Sequence, residues 1–302
     1  MILLKNWDLI QIMVICGPTA CGKSAAAIEA AQKLDGEVIS ADSAQIYRGM
    51  DIGTAKILPH EMGGVAHHLI DELWLNEAYN AAIFATRAKS LIGEIAARGR
   101  LPIICGGTGF YINALLFGND FNLGAPDPIL RKNLSNIPPE RLFQMLEAVD
   151  PGAAIAIGKN NTKRIIRALE FYETTGQQIS IHNEKQKNAP PAYDARIYVL
   201  SGDRERMYDR INRRVDDMIE KGLVAEVSGL LTKYDLALPS LQALGYKEII
   251  RHLRGELTLD EAINAVKQGT RRFAKRQITW FKHQLPQATW VDVDSSYGNI
   301  PF

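Results

Sequence analysis

Long apolar runs are missing from this sequence, and none approaches the length of a membrane-spanning helix. The first eight residues also lack the charged start and apolar stretch of a signal peptide. An excess of charge of one sign is missing too, because 35 Lys and Arg residues face 34 Asp and Glu residues, a formal net charge of +1. A nucleic-acid partner would therefore be held by local basic patches. We expect a cytoplasmic protein with no membrane partner.

Cysteine is scarce, with three residues in 302, and neither the cysteines nor the six histidines show metal-ligand spacing. Internal repeats and low-complexity tracts are absent as well, which excludes repeat architectures and disordered chains. The composition that remains is 46% hydrophobic and 23% charged. It is typical of a globular protein with one large core or two domains.

The stretch Gly17-Pro18-Thr19-Ala20-Cys21-Gly22-Lys23-Ser24 fits the phosphate-binding pattern G-x-x-x-x-G-K-[ST] at every fixed position. The apolar run 10–16 before it predicts a buried strand, and the alanine-rich run 25–31 after it predicts a helix. Such a loop presents backbone N–H groups and a helix N-terminus to an anion. Lys23 adds a positive charge, and the Ser24 hydroxyl is a ligand for Mg²⁺. The motif predicts a bound di- or triphosphate, without specifying ATP or hydrolysis.

Strand and helix signals alternate through most of the chain, which predicts an α/β, P-loop NTPase-like parallel sheet flanked by helices. Strands are expected at 10–16, 37–40, 67–71, 101–105, 196–200 and 289–293. Because the carboxyl ends of neighbouring parallel strands share one edge of a sheet, Asp42 is expected close to the phosphate loop. A second glycine turn, 106–109, follows the fourth strand.

The alternation breaks at 119–128, which is rich in turn-forming dipeptides. From there to about residue 194 the signals are mainly helical, at 127–134, 138–149 and 161–175. The segment 182–191 reads as a linker back to the core. We therefore predict a catalytic core of residues 1–119 and 195–302 with a helical insertion domain of residues 120–194.

Asp42 is the first candidate for chemistry. A carboxylate at a strand end beside a phosphate loop is a general base, a metal ligand or a cap for the following turn. A nucleotide hydrolase would need a second acidic metal ligand and a group that positions water. Asp71 is only a weak candidate for that second acidic ligand.

Two basic clusters stand out. Lys163, Arg164 and Arg167 fall within about one helical turn, where a solvated helix face is the simpler interpretation. The segment from Ala262 to Val291 has no acidic residue. Its basic and aromatic residues suit a phosphate backbone and stacked bases; they include Lys267, Arg271, Arg272, Lys275, Arg276, Lys282, Phe273, Trp280 and Phe281.

Four segments together closely resemble the bacterial tRNA dimethylallyltransferases, also called tRNA isopentenyltransferases, of the IPP transferase family. They are the phosphate loop 17–24, the segment 42–56 (DSAQIYRGMDIGTAK), the turn 106–109 (GGTG) and the segment 275–280 (KRQITW). The resemblance implies transfer of a dimethylallyl group from dimethylallyl diphosphate to N6 of adenosine 37, in tRNAs that read codons starting with U. It further implies Mg²⁺ as cofactor, the tRNA anticodon stem-loop as partner of the insertion domain, and a monomer. The departures are small: Cys21 stands where serine is usual and Ser24 where threonine is common.

The same resemblance assigns roles to residues. Asp42 would be the general base that takes a proton from N6, with Thr108 and Lys23 as its catalytic partners. Residues 17–24 would hold the diphosphate, with Ser24 on Mg²⁺. Either Arg210 or Arg214 would reach the diphosphate, and Arg214 is favoured. The implied tRNA contacts are Asp42, Ser43, Ala44, Gln45, Thr108, Arg131, Lys163, Arg164, Ile165, Ile166, Arg167, Gln242, Gly245, Tyr246, Lys247, Lys275, Arg276 and Trp280.

Three alternatives stay open. An isopentenyltransferase acting on free adenine nucleotides would need neither the insertion nor the basic stripe. A P-loop small-molecule kinase would consume ATP, with Asp42 as its base. A GTPase-like RNA-binding module would need a guanine-specificity motif such as N-K-x-D, which the sequence lacks.

Overall fold

The structure is a computed structural model of the 302-residue chain, and it describes residues 9–117, 127–187 and 191–295. Contacts divide the chain into two compact units, residues 1–116 with 193–302 and residues 117–192. The predicted domain boundary at 119/120 and most of the predicted break at 119–128 lie outside the described residues. No helix within the described ranges is long and apolar enough to cross a membrane.

The larger unit is built on a six-stranded sheet in which every pair of neighbours is parallel. Its strands are β1 (Gln11–Cys16), β2 (Gly36–Ser40), β3 (His67–His68), β4 (Leu101–Gly106), β5 (Asp194–Ser201) and β6 (Thr289–Asp292), in the spatial order β3-β2-β4-β1-β5-β6. The near-continuous apolar sequences of β1 and β4 fit strands that are buried on both faces. The predicted parallel α/β sheet is confirmed.

Helices flank this sheet and build the smaller unit. In chain order they are α1 (Lys23–Leu34), α2 (Ala81–Ala97), α3 (Gly109–Leu116), α4 (Pro128–Ser135), α5 (Pro139–Val149), α6 (Pro151–Ile157), α7 (Thr162–Thr175), α8 (Ile179–Lys187), α9 (Arg204–Glu220), α10 (Leu223–Leu231), α11 (Tyr246–Leu253) and α12 (Leu259–Gln284). Helices α4–α8 form the smaller unit, and their apolar side chains pack into a core of its own.

The predicted strand 67–71 is wrong beyond its second residue. β3 ends at His68 because Leu69 and Asp71 have positive φ angles of 62° and 55°, which no strand accommodates. The carboxylate of Asp71 instead pairs with the ammonium of Lys56. Asp71 is therefore engaged in holding a loop, and the idea of a second acidic metal ligand there finds no support.

The predicted linker 182–191 is also wrong in its first half, because α8 runs through Lys187. Asp150, which is 1% exposed, accepts hydrogen bonds from the Ser180 backbone N–H at 2.9 Å and from the Ser180 hydroxyl at 2.6 Å. The same carboxylate caps α6 through the Ala153 N–H at 2.9 Å. One buried aspartate thus fixes the first turns of two helices that the sequence analysis did not predict.

Strands β2, β4 and β1 lie side by side in the sheet, in that order. Ser40 of β2 lies opposite Cys105 of β4, and Gly106 of β4 lies opposite Cys16 of β1. Their carboxyl ends therefore meet at one edge of the sheet, where ligands bind in open parallel sheets.

Candidate active site

The phosphate loop follows β1 and ends where α1 begins. Gly17 and Gly22 have φ angles of 144° and 82°. A Cβ at Gly17 would lie 2.3 Å from the Leu200 carbonyl oxygen, so only glycine fits there. The Lys23 ammonium donates to the Pro18 carbonyl oxygen at 2.6 Å and lies 3.8 Å from the Cys21 sulfur. Lysine and helix N-terminus together create the positive potential that binds phosphate.

Asp42 follows β2 and has a fixed orientation. Its Oδ1 accepts hydrogen bonds from the backbone N–H groups of Ala44, at 2.9 Å, and Gln45, at 3.2 Å. The turn is thus capped by one carboxylate oxygen. Among the described residues, Oδ2 of Asp42 makes no hydrogen bond, which leaves it able to accept a proton from a ligand.

The second glycine turn follows β4 and lies against the Asp42 segment. A Cβ at Gly106 would lie 2.2 Å from the Ala41 carbonyl oxygen, which requires glycine at this position. The Thr108 N–H donates to that same oxygen at 3.2 Å, and Thr108 Oγ1 accepts from the Ser43 N–H at 3.2 Å. The structure therefore brings Thr108 and Asp42 together, as the sequence predicts.

Gln277 on α12 is a site residue that the sequence analysis missed. Its Oε1 accepts from the Thr19 N–H in the phosphate loop at 3.0 Å, and its Nε2 donates to the Gly107 carbonyl oxygen at 2.9 Å. The side chain is 7% exposed. One amide thus ties the two glycine turns together. The available signal was a glutamine at a position whose helical spacing from Ala274 and Phe281 marks the buried face.

Arg214 on α9 lines the same cleft as Lys23 and Asp42. Burial lowers the pKa of Arg214, while the negative charge of Asp42 opposes that shift. Arg210, one turn earlier, pairs instead with Asp294 at 2.7 Å and donates to the Ala20 carbonyl oxygen at 3.1 Å. Of the two arginines that the sequence left open, Arg214 is the one that borders the cleft.

These groups share one cleft at the carboxyl edge of β2, β4 and β1. Its lining includes Thr19, Ala20, Gly22, Lys23, Ser24, Asp42, Gln45, Gly107, Arg214 and Gln277. A second cavity shares Asp42, Arg214, Phe273 and Gln277 with it and adds the apolar side chains Ile211, Val215, Met218, Leu244 and Val266. Cationic groups, a carboxylate and an apolar wall are thus available to one ligand.

Burial keeps the thiols of Cys16 and Cys105, near the phosphate loop, protonated. Burial raises the pKa of Cys105, which lines the cleft, to about 12, and burial also raises the pKa of Cys16. Neither adds an anion that would compete with a bound phosphate. All three cysteines are free.

A divalent cation would find few protein ligands here. Within the described ranges, no group of three or more His, Cys, Asp or Glu side chains is arranged to hold a metal ion. The Ser24 hydroxyl and the Asp42 carboxylate line the cleft. This donor set fits Mg²⁺ of the kind that keeps waters and is bound mainly through substrate phosphate oxygens.

The predicted tRNA contacts in the larger unit differ in accessibility. Ser43, Gln242, Lys247, Lys275 and Arg276 are exposed, and Lys247 and Arg276 also border the second cavity. Ala44, Gln45 and Thr108 are half-buried at the cleft, and Trp280 is half-buried. The ring of Trp280 packs over Gly109, with its centroid 6.0 Å from that of Phe110.

Tyr246 and Gly245 lie at the buried turn before α11. The Tyr246 side chain is fully buried, and its hydroxyl donates to Glu226 at 2.6 Å. Gly245 is buried and starts α11 with a φ angle of 96°, a conformation that favours glycine. The predicted contact of the Tyr246 side chain with tRNA is therefore corrected. Gly245 borders the second cavity, and its contact with tRNA stays a prediction.

In the smaller unit, the side chains of Ile165 and Ile166 are buried in its apolar core, at 0% and 8% exposure, which leaves little of them for tRNA to contact. Arg131 and Arg167 pair with the fully buried Glu170 at 2.6 and 3.0 Å. Both arginines thus have a structural role. Lys163 and Arg164 are exposed.

Comparison with known proteins gives a consistent result. The family model for IPP transferases matches residues 45–284. The chain belongs to the IPP transferase family. The tRNA dimethylallyltransferase of Carboxydothermus hydrogenoformans is 51% identical over 286 residues, covering 93% of this chain and 92% of the relative.

Solved structures of the IPP transferase family agree. The tRNA isopentenylpyrophosphate transferase of Bacillus halodurans has a TM-score of 0.71 and 43% identity, covering 94% of this chain and 90% of that one. A eukaryotic dimethylallyltransferase acting on tRNA has a TM-score of 0.83 and 30% identity, covering 93% of this chain and 73% of that one. The resemblance that the motifs carry is therefore confirmed at the level of family and fold.

Proposed function

We propose that this chain transfers the dimethylallyl group of dimethylallyl diphosphate to N6 of adenosine 37 in tRNAs that read codons starting with U. The bond from N6 to C1 of the donor forms, the C1–O bond to diphosphate breaks, and one proton leaves N6. The observation that carries the proposal is that a phosphate loop and an oriented carboxylate, Asp42, line one cleft. Family membership supports it.

The leaving group would be held by the phosphate loop. Backbone N–H groups of residues 17–24, Lys23 and Arg214 supply positive charge where negative charge grows on the diphosphate oxygen as the C1–O bond breaks. The apolar side chains of the adjoining cavity, among them Val215, Val266 and Phe273, suit a five-carbon prenyl chain. Mg²⁺ held by Ser24 and the diphosphate would neutralise part of the phosphate charge.

Asp42 would accept the proton from N6. Its Oδ1 is fixed by two backbone amides, so the carboxylate has a defined orientation toward a base that enters the cleft. Thr108, whose hydroxyl already accepts from Ser43, lies beside it and has a proton to donate to the incoming adenine or the donor oxygen. Adenosine 37 must leave the anticodon stack to reach these groups.

The exposed cations suit the remainder of the tRNA. In the larger unit, Lys247, Lys275 and Arg276 would contact phosphates, and Trp280 with Phe110 offers aromatic surface to bases. In the smaller unit, residues 117–192, Lys163 and Arg164 would contact the anticodon stem-loop. We propose that the protein acts as a monomer.

The test is transfer of radiolabel from dimethylallyl diphosphate to unmodified tRNA containing A36-A37-A38, compared with AMP, for wild type and Asp42→Ala. We expect label on tRNA and a loss of at least about a hundredfold in the variant, the usual scale for a general base. Asp209→Ala, at an exposed position of α9, is the control and should match wild type.

Label on AMP alone would assign the protein to the nucleotide-modifying relatives. No transfer to either acceptor, with ATP turnover instead, would contradict the proposal and favour a P-loop kinase.

A further inference from the structure

Glu226 on α10 receives four hydrogen bonds, three of them from one loop. Its Oε2 accepts from the backbone N–H groups of Asp51, at 3.1 Å, and Ile52, at 2.7 Å. Its Oε1 accepts from the Gly53 N–H at 3.2 Å and from the Tyr246 hydroxyl at 2.6 Å. Consecutive backbone N–H groups that converge in this way form an anion-binding concavity. Here the anion is a side chain of the same protein, so the contact fixes the loop of residues 51–56.

Tyr246 completes this arrangement from the other side. A Cβ at Gly53 would lie 2.5 Å from the Tyr246 ring, so the loop packs directly on the ring. Burial, reinforced by the nearby charge of Glu226, raises the pKa of Tyr246. The hydroxyl therefore stays protonated and keeps donating to Glu226.

The far end of the loop is held separately. The Lys56 ammonium donates to the Tyr47 carbonyl oxygen at 2.7 Å and to Asp51 Oδ1 at 2.6 Å, and it pairs with Asp71. Lys56 is 6% exposed. Glu226, which is half-buried, thus holds one end of the loop, and the buried Lys56 holds the other.

The fixed loop borders the candidate active site. Thr54 and Ala55 line the same cleft as Lys23. Their carbonyl oxygens accept from the Gln45 side-chain amide at 3.2 and 3.4 Å, and the Gln45 backbone N–H donates to Asp42 Oδ1 at 3.2 Å. Hydrogen bonds joined by the backbone of the loop and by Gln45 thus connect Glu226 to the carboxylate that would act as base.

We propose that Glu226, supported by Tyr246, is a positioning residue for prenyl transfer. It holds the 51–56 loop so that Gln45 and Asp42 present a preformed surface to the entering adenosine. This inference rests on the proposed function. The phosphate loop is held by other residues, Gln277 at Thr19 and Arg210 at Ala20, so loss of Glu226 should impair the adenosine side of the cleft and spare the diphosphate side.

Glu226→Gln is the first test. A glutamine has one acceptor atom in place of two, and its NH₂ group would face N–H or O–H donors. We expect kcat and kcat/KM for tRNA to fall about tenfold or more, the scale of a lost hydrogen bond to a charged group. The Kd for dimethylallyl diphosphate, by titration calorimetry, should stay within about twofold. Glu220→Gln, at an exposed position of α9, is the matched control.

Hydrogen exchange gives a readout besides activity. The amides of Asp51, Ile52 and Gly53 donate directly to Glu226. We expect them to exchange faster in Glu226→Gln, while amides of β1 keep their wild-type rates. This pattern identifies local release of the loop rather than general destabilisation.

Tyr246→Phe is the second variant and keeps the ring over Gly53. It removes one of the four hydrogen bonds, so we expect the same pattern with a smaller loss of kcat. The double variant should resemble Glu226→Gln alone, because both changes act on one network. If Glu226→Gln does not fold, the test rests on Tyr246→Phe: faster exchange at 51–53 with a lower kcat supports the proposal, and wild-type values of both contradict it.

The outcomes are distinguishable. A wild-type protein that labels no tRNA would contradict the proposed function, and the inference would fall with it. An active wild type with a Glu226→Gln variant of equal kcat and unchanged exchange at 51–53 would overturn the inference alone. Equal losses of kcat and of diphosphate affinity would also overturn it, since a merely structural role predicts them.

Discussion

At the scale of single residues, Arg210 and Arg214 show how neighbours on one helix face acquire different roles. They are four positions apart on α9 and therefore lie on the same side of the helix. Arg210 pairs with Asp294 near the other end of the chain, whereas Arg214 borders the cleft. The resemblance favours Arg214, but helical spacing alone could not separate the two, because Arg210 is held by a partner 84 residues away.

Replacing each arginine by lysine separates the two roles. A lysine at 214 keeps the charge but loses the planar fork that grips two phosphate oxygens. We expect Arg214→Lys to raise the Kd for dimethylallyl diphosphate about tenfold. Arg210→Lys should change that Kd by less than about threefold and lower the melting temperature by a few degrees, through Asp294. Calorimetry and thermal unfolding measure both, and an equal loss of affinity in the two variants would refute the assignment.

The site residues that could be predicted from the sequence are those whose roles depend on neighbouring residues in the chain. The phosphate loop, Asp42 and Thr108 are recognisable because their roles depend on a turn that immediately follows a strand. Gln277 and Glu226 were missed because their partners lie 258 and 175 residues away. Tyr246, Ile165 and Ile166 belong to segments of the right motif, but their side chains are buried. A motif identifies a segment and does not say which of its side chains face outward.

At the scale of elements, α12 has two faces with different functions. The sequence shows its basic face, including Lys275 and Arg276. Its buried face carries Gln277, which connects the phosphate loop to the second glycine turn. The same helix therefore both offers cations to solvent and holds the cleft together.

We expect Gln277→Leu to lower the free energy of unfolding by about 1–3 kcal/mol. The Thr19 N–H and the Gly107 carbonyl would lose their partner in a buried place. Transfer activity should fall as well, because the two turns lose their link. Gln268→Leu, on an exposed position of α12, should change neither quantity. Urea unfolding and the radiolabel assay test this, and a Gln277→Leu variant as stable as wild type would contradict it.

The edge of the sheet near β3 contains an acid-sensitive cluster. Glu37 of β2 is 3% exposed and bonds to Arg98, Arg100 and His68. Burial alone would raise the pKa of Glu37, but the hydrogen bonds from Arg98, His68 and Arg100 outweigh it and hold that pKa at about 2. A depressed pKa stabilises the fold above the unfolded-state value of about 4.3, and that stabilisation is lost as pH falls toward about 2.

Glu37→Gln should therefore lower the free energy of unfolding by about 2–3 kcal/mol at pH 7. The difference from wild type should shrink as pH falls from about 5 toward about 2, where wild-type Glu37 becomes protonated. Urea unfolding at several pH values measures it. Glu29→Gln, which breaks an exposed pair with Lys33, should cost less than about 1 kcal/mol. If the difference in free energy of unfolding between wild type and Glu37→Gln did not change with pH, the ionised Glu37 carboxylate would not be its cause.

At the scale of the whole molecule, the sequence predicted the alternation of strands and helices because long apolar runs with glycine turns have few alternatives. The exceptions arise from tertiary contacts. Asp150 caps two helices that were not predicted, and positive φ angles shorten β3. The larger unit, with its sheet and cleft, carries the proposed chemistry, and the smaller unit has its own apolar core and its own surface cations.

The cations of the smaller unit fall into two groups. Arg131 and Arg167 pair with Glu170 and support the fold, whereas Lys163 and Arg164 are exposed and available to a ligand. Glu170 is fully buried, and hydrogen bonds from Arg131 and Arg167 overcome the effect of burial and lower its pKa. Removing Arg131 would leave this carboxylate short of a partner. Lys163 and Arg164, by contrast, are exposed at the start of α7. Loss of tRNA binding in an Arg131 variant would therefore mix two causes.

Charge reversal at Lys163 and Arg164 tests their contribution to tRNA affinity without removing a partner of Glu170. If these residues contact tRNA phosphates, Lys163→Glu/Arg164→Glu should weaken tRNA binding at low salt and reduce the slope of log K against log salt by about two. The Kd for dimethylallyl diphosphate should not change. Lys89→Glu/Lys233→Glu, at two exposed positions of the larger unit, applies the same change in net charge. A general electrostatic effect would weaken tRNA binding equally in both double variants. An equal loss of tRNA affinity in the control would therefore refute contact by the smaller unit. A loss of affinity confined to the variant at 163 and 164 would support tRNA contact there.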